Sequence, residues 1–291
     1  PIHWILDWDG TLTKRDTLDA LVNIAAKCKT GSPVHKEWKR VAEAYMTDYE
    51  TTLGIHSKDG RLPSSISEEK ALLKTLEEVE QRSIDRVSES GIFEGLTTED
   101  IENGATNAIE SGEVELRIGL TDFWELVQSR IQYQDAVSIL SVNWSQRFIL
   151  ACLETAHESL ANMLSNSINS NELDGISQGA TTTGRICTDR KTRIISSRDK
   201  LAHLELLRES TLRQGKPMQV VYVGDSWTDF ECLLSADLGI CIRDDPMTNT
   251  QKKLADSLAR VGVSCARLRG LKDAIGIPWT QDFHELRNWM Q

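Results

Sequence analysis

The chain has 291 residues, 40% of them hydrophobic, which is enough to bury a core and suits one large domain or a core with a smaller insert. Its 44 acidic against 33 basic residues leave a net charge of −11, and this argues against a nucleic acid polymer as partner, because a phosphate-backbone binder needs a basic surface. Small anionic substrates stay open, since a metal ion and a few local cations override the global field.

The first predicted element is an apolar run over residues 2–7, read as a buried strand. It closes on Asp7-Trp8-Asp9-Gly10-Thr11. Residues i and i+2 of an extended chain point the same way, so the two carboxylates are crowded at the strand's C-terminal end. Open α/β sheets place their ligands there. Crowded carboxylates repel and lose hydration, and a hard cation such as Mg²⁺ relieves both. Asp and Gly also make ordinary turns, so the motif gains its weight from a second acidic cluster far along the chain, at Asp225 and Asp229.

From about Thr13 the pattern turns helical. One helix is expected over Asp16–Lys29 with Asp16 as N-cap, and a second from Pro33, which suits a first turn, to about Thr52. After a turn-rich break at Ser57–Ser64, Ser67-Glu68-Glu69 opens a long amphipathic helix with Leu72, Leu76, Val79 and Val87 near one face. A fourth helix is expected from about Thr98 to Glu110. Residues 15–110 carry no strand pattern, so they read as a helical bundle inserted into an α/β core and lying over its strand ends.

Leu116 to about Arg130 returns to the core. A strand over 136–141 ends in Ser141, and a helix is expected near 145–162. The Ser/Thr/Gly-rich stretch 165–197 reads as strands or a hairpin beside the core, or as a loop. A helix over 200–213 precedes a strand over 219–224, which closes on Gly224-Asp225-Ser226-Trp227-Thr228-Asp229. A short strand within 236–242, a helix from Thr248 to about Arg260 and a further strand over Val261–Ala266 complete the predicted elements.

The six cysteines lack Cys-x-x-Cys spacing and read as reduced thiols of a cytoplasmic protein. The six histidines show no ligand spacing, so no zinc site is expected. No apolar run approaches the roughly 18–20 residues of a membrane span, and no signal-peptide pattern is legible.

Four pieces in this order, Asp7-x-Asp9-Gly10-Thr11, the strand-end Ser141, the helix-start Lys200 and Gly224-Asp225-x-x-x-Asp229, resemble the motifs of the haloacid dehalogenase (HAD) superfamily, made mostly of phosphatases. The chain looks most like its phosphoserine-phosphatase-like branch, which has a helical insert soon after the first motif and a segment similar to Ser170-Asn171-Glu172-Leu173-Asp174-Gly175. Ile118-Gly119 stands where many relatives have Pro-Gly. The resemblance implies an α/β fold: a Rossmann-like parallel-sheet core of residues 1–14 and 112–291, with an inserted α-helical cap domain over 15–111.

It also implies roles. Asp7 is the nucleophile that forms an aspartyl-phosphate, and Asp9 the general acid and base. Mg²⁺ sits between Asp7, the backbone carbonyl of Asp9 and Asp225. Ser141 and the N–H groups after it, at Val142 and Asn143, hold phosphate oxygens, and Lys200 neutralises Asp7 and the phosphoryl group. Thr11 and Asp229 support the site, Asp229 by holding a metal-bound water or orienting Lys200. An acid at Asp9 favours ester hydrolysis, since dehalogenases of the superfamily lack it and transport ATPases carry Thr. Arg15, Asp16 and Trp144 are candidates for substrate specificity. Trp8, Trp144 and Trp227 lie inside the motifs, as a lining for a ring-bearing leaving group or as packing against loops. The expected function is a Mg²⁺-dependent phosphatase acting on small phosphorylated metabolites, including pyrimidine-type compounds. A phosphotransferase or mutase using the same chemistry, or a non-catalytic binding scaffold, are the alternatives.

Overall fold

The computed structural model describes residues 1–56, 61–130, 133–186, 189, 192–268 and 276–291. Six strands, β1 (Ile2–Leu6), β2 (Ala136–Leu140), β3 (Ile168–Asn169), β4 (Gln219–Gly224), β5 (Leu238–Ile242) and β6 (Trp279–Thr280), form one sheet in the order β3-β2-β1-β4-β5-β6. All five pairings are parallel. Such a sheet needs cover on both faces, and the central strand shows it. Trp4 and Leu6 of β1 enter one apolar core, while Ile5 between them enters a second with Tyr222 of β4. Trp4 stacks edge-on against Phe123 at 5.1 Å.

Between β1 and β2 run α1 (Leu18–Cys28), α2 (Val34–His56), α3 (Ile66–Glu89), α4 (Thr98–Glu110) and α5 (Leu120–Ser129). From α1 to α4 there is no strand among the described residues, as the sequence pattern suggests. Helix α3 is capped by Ser65, whose hydroxyl accepts the Glu68 N–H at 3.3 Å, and α4 by a reciprocal Thr97–Asp100 box. The insert is tied back to the core through Glu69 of α3, which is fully buried. Its carboxylate accepts Trp227 Nε1 at 2.7 Å, Arg260 at 2.8 Å and the Ser257 hydroxyl.

The rest of the core comprises α6 (Gln146–Ala156), α7 (Glu158–Leu164), α8 (Ser197–Arg213), α9 (Phe230–Ser235), α10 (Asn249–Arg260) and α11 (Phe283–Met290). Several expectations change. The helix expected near 145–162 is two helices, because His157 leaves helical geometry (φ −161°, ψ 84°) and its ring accepts the Leu160 N–H. Asp16 does not cap α1: Thr17 holds that position, while Asp16 accepts the Leu18 N–H at 2.8 Å. Val261–Ala266 is not a strand. It runs beside β6 through isolated hydrogen bonds, such as Trp279 N–H to Ala266 carbonyl at 2.9 Å, and the sheet edge is the two-residue β6. Neither short β6 nor the C-terminal α11 is foreshadowed by the sequence pattern. Residues 57–60 of the expected break at 57–64, and 187, 188, 190 and 191 of the stretch 165–197, lie outside the described residues. In the rest of that stretch, β3 and an isolated Leu173–Ile186 bridge are the strand-like pieces.

Candidate active site

In this strand order successive strands are added to one side of β1 and then, from β4, to the other, and a crevice opens beyond the carboxyl ends of β1 and β4. Asp7 follows β1 directly and Asp225 follows β4 directly, so topology alone brings together carboxylates 218 positions apart in sequence. Two glycines make the approach possible. Gly10 adopts φ +74°, and a Cβ there would lie 2.4 Å from an Asp225 carboxylate oxygen. A Cβ on Gly224 would lie 2.4 Å from the Asp229 carboxyl carbon. The glycine of each motif therefore makes room for a carboxylate of the fourth motif.

Asp7, Asp225 and Asp229 are buried, and each offers a carboxylate oxygen within 4.8 Å of the others. Lys200, with no exposed surface, reaches from the start of α8 to Asp7 at 2.6 Å and Asp229 at 2.7 Å. Burial alone would lower its pKa, but the charges of Asp229 and Asp7 outweigh that and hold the ammonium protonated. Asp229 is fixed further by the Tyr222 hydroxyl at 2.6 Å and by the N–H groups of Asp225 and Ser226 at 3.0 and 2.9 Å. Burial and the Asp229 charge push Asp7 up to about 8 against the pull of Lys200. Asp225 is raised as well, by burial, Asp7 and Asp229. One lysine does not balance three buried carboxylates, and oxygen donors so crowded fit a hard divalent cation. The Thr11 hydroxyl lies 3.4 Å from both Asp7 and Asp225.

Asp9 is handled differently. Its side chain turns away from the triad: Oδ1 accepts the Thr17 N–H at 2.8 Å and the Thr17 hydroxyl at 2.6 Å, and Oδ2 accepts Asn143 Nδ2 at 2.9 Å. Burial raises its pKa against these bonds. The carboxylate triad thus contains Asp229 in place of the Asp9 side chain, and the carbonyl of Asp9 remains the atom expected to meet the metal. Asn143 was expected to serve through its backbone N–H, and that N–H points instead to the Ser141 hydroxyl at 3.1 Å. Ser141 is completely buried, behind the cavity wall rather than on it.

A cavity of about 450 Å³ opens over these groups. Asp7, Asp9, Val142, Asn143, Trp144 and Asp225 line its sheet side, and Asp16, Trp38, Tyr45, Glu77 and Glu80 its helical side. Of the specificity candidates, Asp16 and Trp144 line it, whereas Arg15 is exposed and lies outside the lining. Trp227 also lines it, while Trp8 is fully buried and donates to the Thr17 hydroxyl at 3.1 Å. Sequence reasoning missed Arg117. Its guanidinium holds the first motif by the carbonyls of Gly10 at 2.6 Å and Thr11 at 3.0 Å, and pairs with Asp244 at 2.6 Å. Nothing around Arg117 in the chain marks it, because its partners come from residues 10–11 and 244. Tyr222 and Thr17 were likewise unmarked, the one inside an apolar strand and the other in a polar loop.

No family model matches the chain. It is 28% identical over 244 residues to a CTO1 family protein of Schizosaccharomyces pombe, spanning 83% of this chain and 82% of that one. Among solved structures, a phosphoserine phosphohydrolase-like protein from Francisella tularensis matches over the whole of both chains with a TM-score of 0.54 at 16% identity. A phosphoserine phosphatase in the form of a phospho-aspartyl intermediate analogue matches 99% of this chain and 98% of its own, with a TM-score of 0.51 and 16% identity. The chain therefore has the α/β fold of these phosphoserine-phosphatase-like structures.

Proposed function

We propose that the protein is a Mg²⁺-dependent phosphomonoesterase acting on small phosphorylated metabolites through an aspartyl-phosphate on Asp7. The observation that carries the reading is the division of labour between two neighbouring acids. Asp7 sits among carboxylates and Lys200 at the floor of the cavity, while Asp9 is held out of that cluster by Thr17 and Asn143 and faces the same space. That difference supports a nucleophile's role for Asp7 and a proton carrier's for Asp9.

In the first step Asp7 attacks phosphorus, its new O–P bond forming as the ester P–O bond breaks. Asp9, whose raised pKa favours its protonated form, gives that proton to the departing alkoxide. In the second step Asp9 takes a proton from water as the water oxygen attacks the aspartyl-phosphate, which frees Asp7 and releases phosphate. Lys200 stays protonated between Asp7 and Asp229 and offsets charge through both steps. Asp7, Asp225 and the Asp9 carbonyl would hold Mg²⁺, with Asp229 beside them, and the ion when bound would neutralise the phosphoryl oxygens. Val142 and Asn143 border the cavity where phosphate oxygens would lie.

On this reading residues 1–14 and 112–291 form the catalytic core and 15–111 a cap that excludes water and selects the leaving group. Scattered free cysteines suit a reducing compartment such as the cytoplasm. The test is phosphate release from a panel of phosphorylated metabolites with Mg²⁺ and with EDTA, using Asp7→Asn as blank. Metal-dependent release that the variant lacks is expected. Equal release by the variant would overturn the nucleophile assignment, and transfer to an alcohol acceptor in preference to water would make the protein a phosphotransferase.

A further inference from the structure

The helical side of the cavity is aromatic and acidic, and its acids are sparsely paired. Trp38 and Trp144 meet edge-to-face at 5.8 Å with an 84° interplanar angle, and both line the cavity. Tyr45, one helical turn from Tyr49 on α2, donates its hydroxyl to Glu80 of α3 at 2.9 Å. Among the described residues no Lys, Arg or His pairs with Glu80 or Asp16. Glu77, one turn before Glu80, has Arg198 only at 3.9 Å, and its Oε1 is buried without a hydrogen-bond partner. The acids form a path. Asp16 lies within electrostatic reach of Asp9, and Tyr45 within reach of both Asp16 and Glu80, so acidic side chains run from Asp9 to the far wall.

The cations of the lining point the same way. Among the described lining residues there is no arginine or histidine, and the single lysine, Lys253, is taken up by Tyr49, its Nζ 4.4 Å from the ring centroid and 3.3 Å from the hydroxyl. The carboxylate of a phosphorylated amino acid would meet one lining cation here, Lys253, already held by Tyr49. A cation would find aromatic faces and an acid already oriented by a tyrosine.

We propose, on the phosphomonoesterase reading above, that the substrate class is the phosphomonoester of an aromatic alcohol carrying a protonated amine, with the ring against Trp38 and Trp144 and the ammonium on Glu80. The phosphate then lies at the Asp7 end, where Lys200 and the expected Mg²⁺ would offset its charge, and the ammonium lies at the α3 end beside Glu80. An aromatic ring supplies contact area at small conformational cost, and the cation supplies the orientation.

The test compares kcat/KM for three probes: benzyl phosphate, para-aminomethylbenzyl phosphate and phosphoethanolamine. The wild-type chain is expected to favour the ring-bearing amine over both others. Glu80→Gln should cut the ratio of the amine probe to benzyl phosphate roughly 10- to 100-fold, the range for a hydrogen bond to a charged group. Tyr45→Phe, which keeps the ring and frees the acid, should cut it less and serves where Glu80→Gln folds poorly. A wild-type ratio near one, or a ratio that neither variant moves, overturns the proposal and leaves hydrolysis standing. If no probe releases phosphate, the phosphatase reading fails, and calorimetry decides the recognition alone. Binding of para-aminomethylbenzyl alcohol but not benzyl alcohol would support it, and equal binding of the two, or none, would sink it.

Discussion

On the sheet wall of the cavity, the acids are tied at short range: Lys200 bridges Asp7 and Asp229 at 2.6 and 2.7 Å, and Asp229 also takes Tyr222 and the N–H groups of Asp225 and Ser226. On the helical wall the ties are sparse: Glu77 meets Arg198 only at 3.9 Å and has its Oε1 buried with no hydrogen-bond partner, and Glu80 has one tyrosine. The first wall arises from parallel strands whose ends must converge, and its geometry leaves little room for change. The second arises from helices that need only an apolar face toward the core, and its polar residues are free to suit a ligand. On the proposed reading, chemistry belongs to the sheet wall and choice of leaving group to the insert.

The comparison breaks most sharply at its fixed end. Asp7→Asn should lower phosphate release by roughly 10⁴-fold or more, and Asp9→Asn by about 10²- to 10⁴-fold, both with folding retained. Steady-state rates alongside circular dichroism check this. A near-wild-type rate for Asp7→Asn would show that the sheet wall does not carry the chemistry. The next largest effect is on stability. Lys200→Met leaves Asp7 and Asp229 buried without their cation, at a cost of about 3–5 kcal/mol. Urea unfolding in EDTA measures it, and a loss under about 1 kcal/mol, the scale of an exposed pair, would mean that water already reaches the site.

The same contrast explains what the sequence made legible. Asp7, Asp9, Asp225 and Asp229 were readable because each follows an apolar β-rich run, and a strand end is a place the chain marks by composition. The parallel sheet followed from the same runs, save β3 and β6, each of whose two residues are too short for a period. Helices α2 to α4 were readable from spacing and caps, and Thr98–Glu110 matches α4 residue for residue. Thr17, Asn143 as an anchor of Asp9, and Arg117 were not, because a hydrogen bond across 8, 134 or 106 positions leaves no local pattern. Glu77 and Glu80 look like the solvated face of an amphipathic helix. Only the packing of α2 against α3 makes them a wall.

Away from both walls, His3 tests whether the sheet's rigidity extends to its entry. It is 4% exposed on β1, its Nε2 lies 2.8 Å from the Ser138 hydroxyl, and its Nδ1 has no partner. Burial lowers its pKa from 6.5 to about 4. Between those values the unfolded chain takes up a proton that the folded chain refuses, so stability falls as pH drops from about 6.5 toward 4. The full contribution is about 3 kcal/mol, present above about pH 6.5. His3→Gln should flatten that limb of the stability–pH curve relative to wild type. Parallel curves for the two proteins between about pH 6.5 and 4.5 would show that the ring is protonated in the fold.

The smallest effect sharpens the comparison where the walls meet. Thr17 precedes the first helix of the insert, yet its N–H and hydroxyl both bind Asp9, and the same hydroxyl accepts Trp8 Nε1 and Asn143 Nδ2, each at 3.1 Å. On the proposed mechanism Thr17 is a positioning residue: it aims Asp9 and lowers its proton affinity without touching the phosphoryl group. Thr17→Val keeps the backbone bond and loses the hydroxyl, so kcat should fall about tenfold. Because that bond favours ionised Asp9, its loss should also move the limb of the kcat–pH profile set by Asp9 to higher pH. Thr17→Ser restores the hydroxyl and should restore both. A fall in kcat with an unmoved profile, or no rescue by Ser, would reduce Thr17 to a packing residue. Asp9 would then owe its orientation to Asn143, a residue of the sheet wall, and the insert would have no hand in the chemistry.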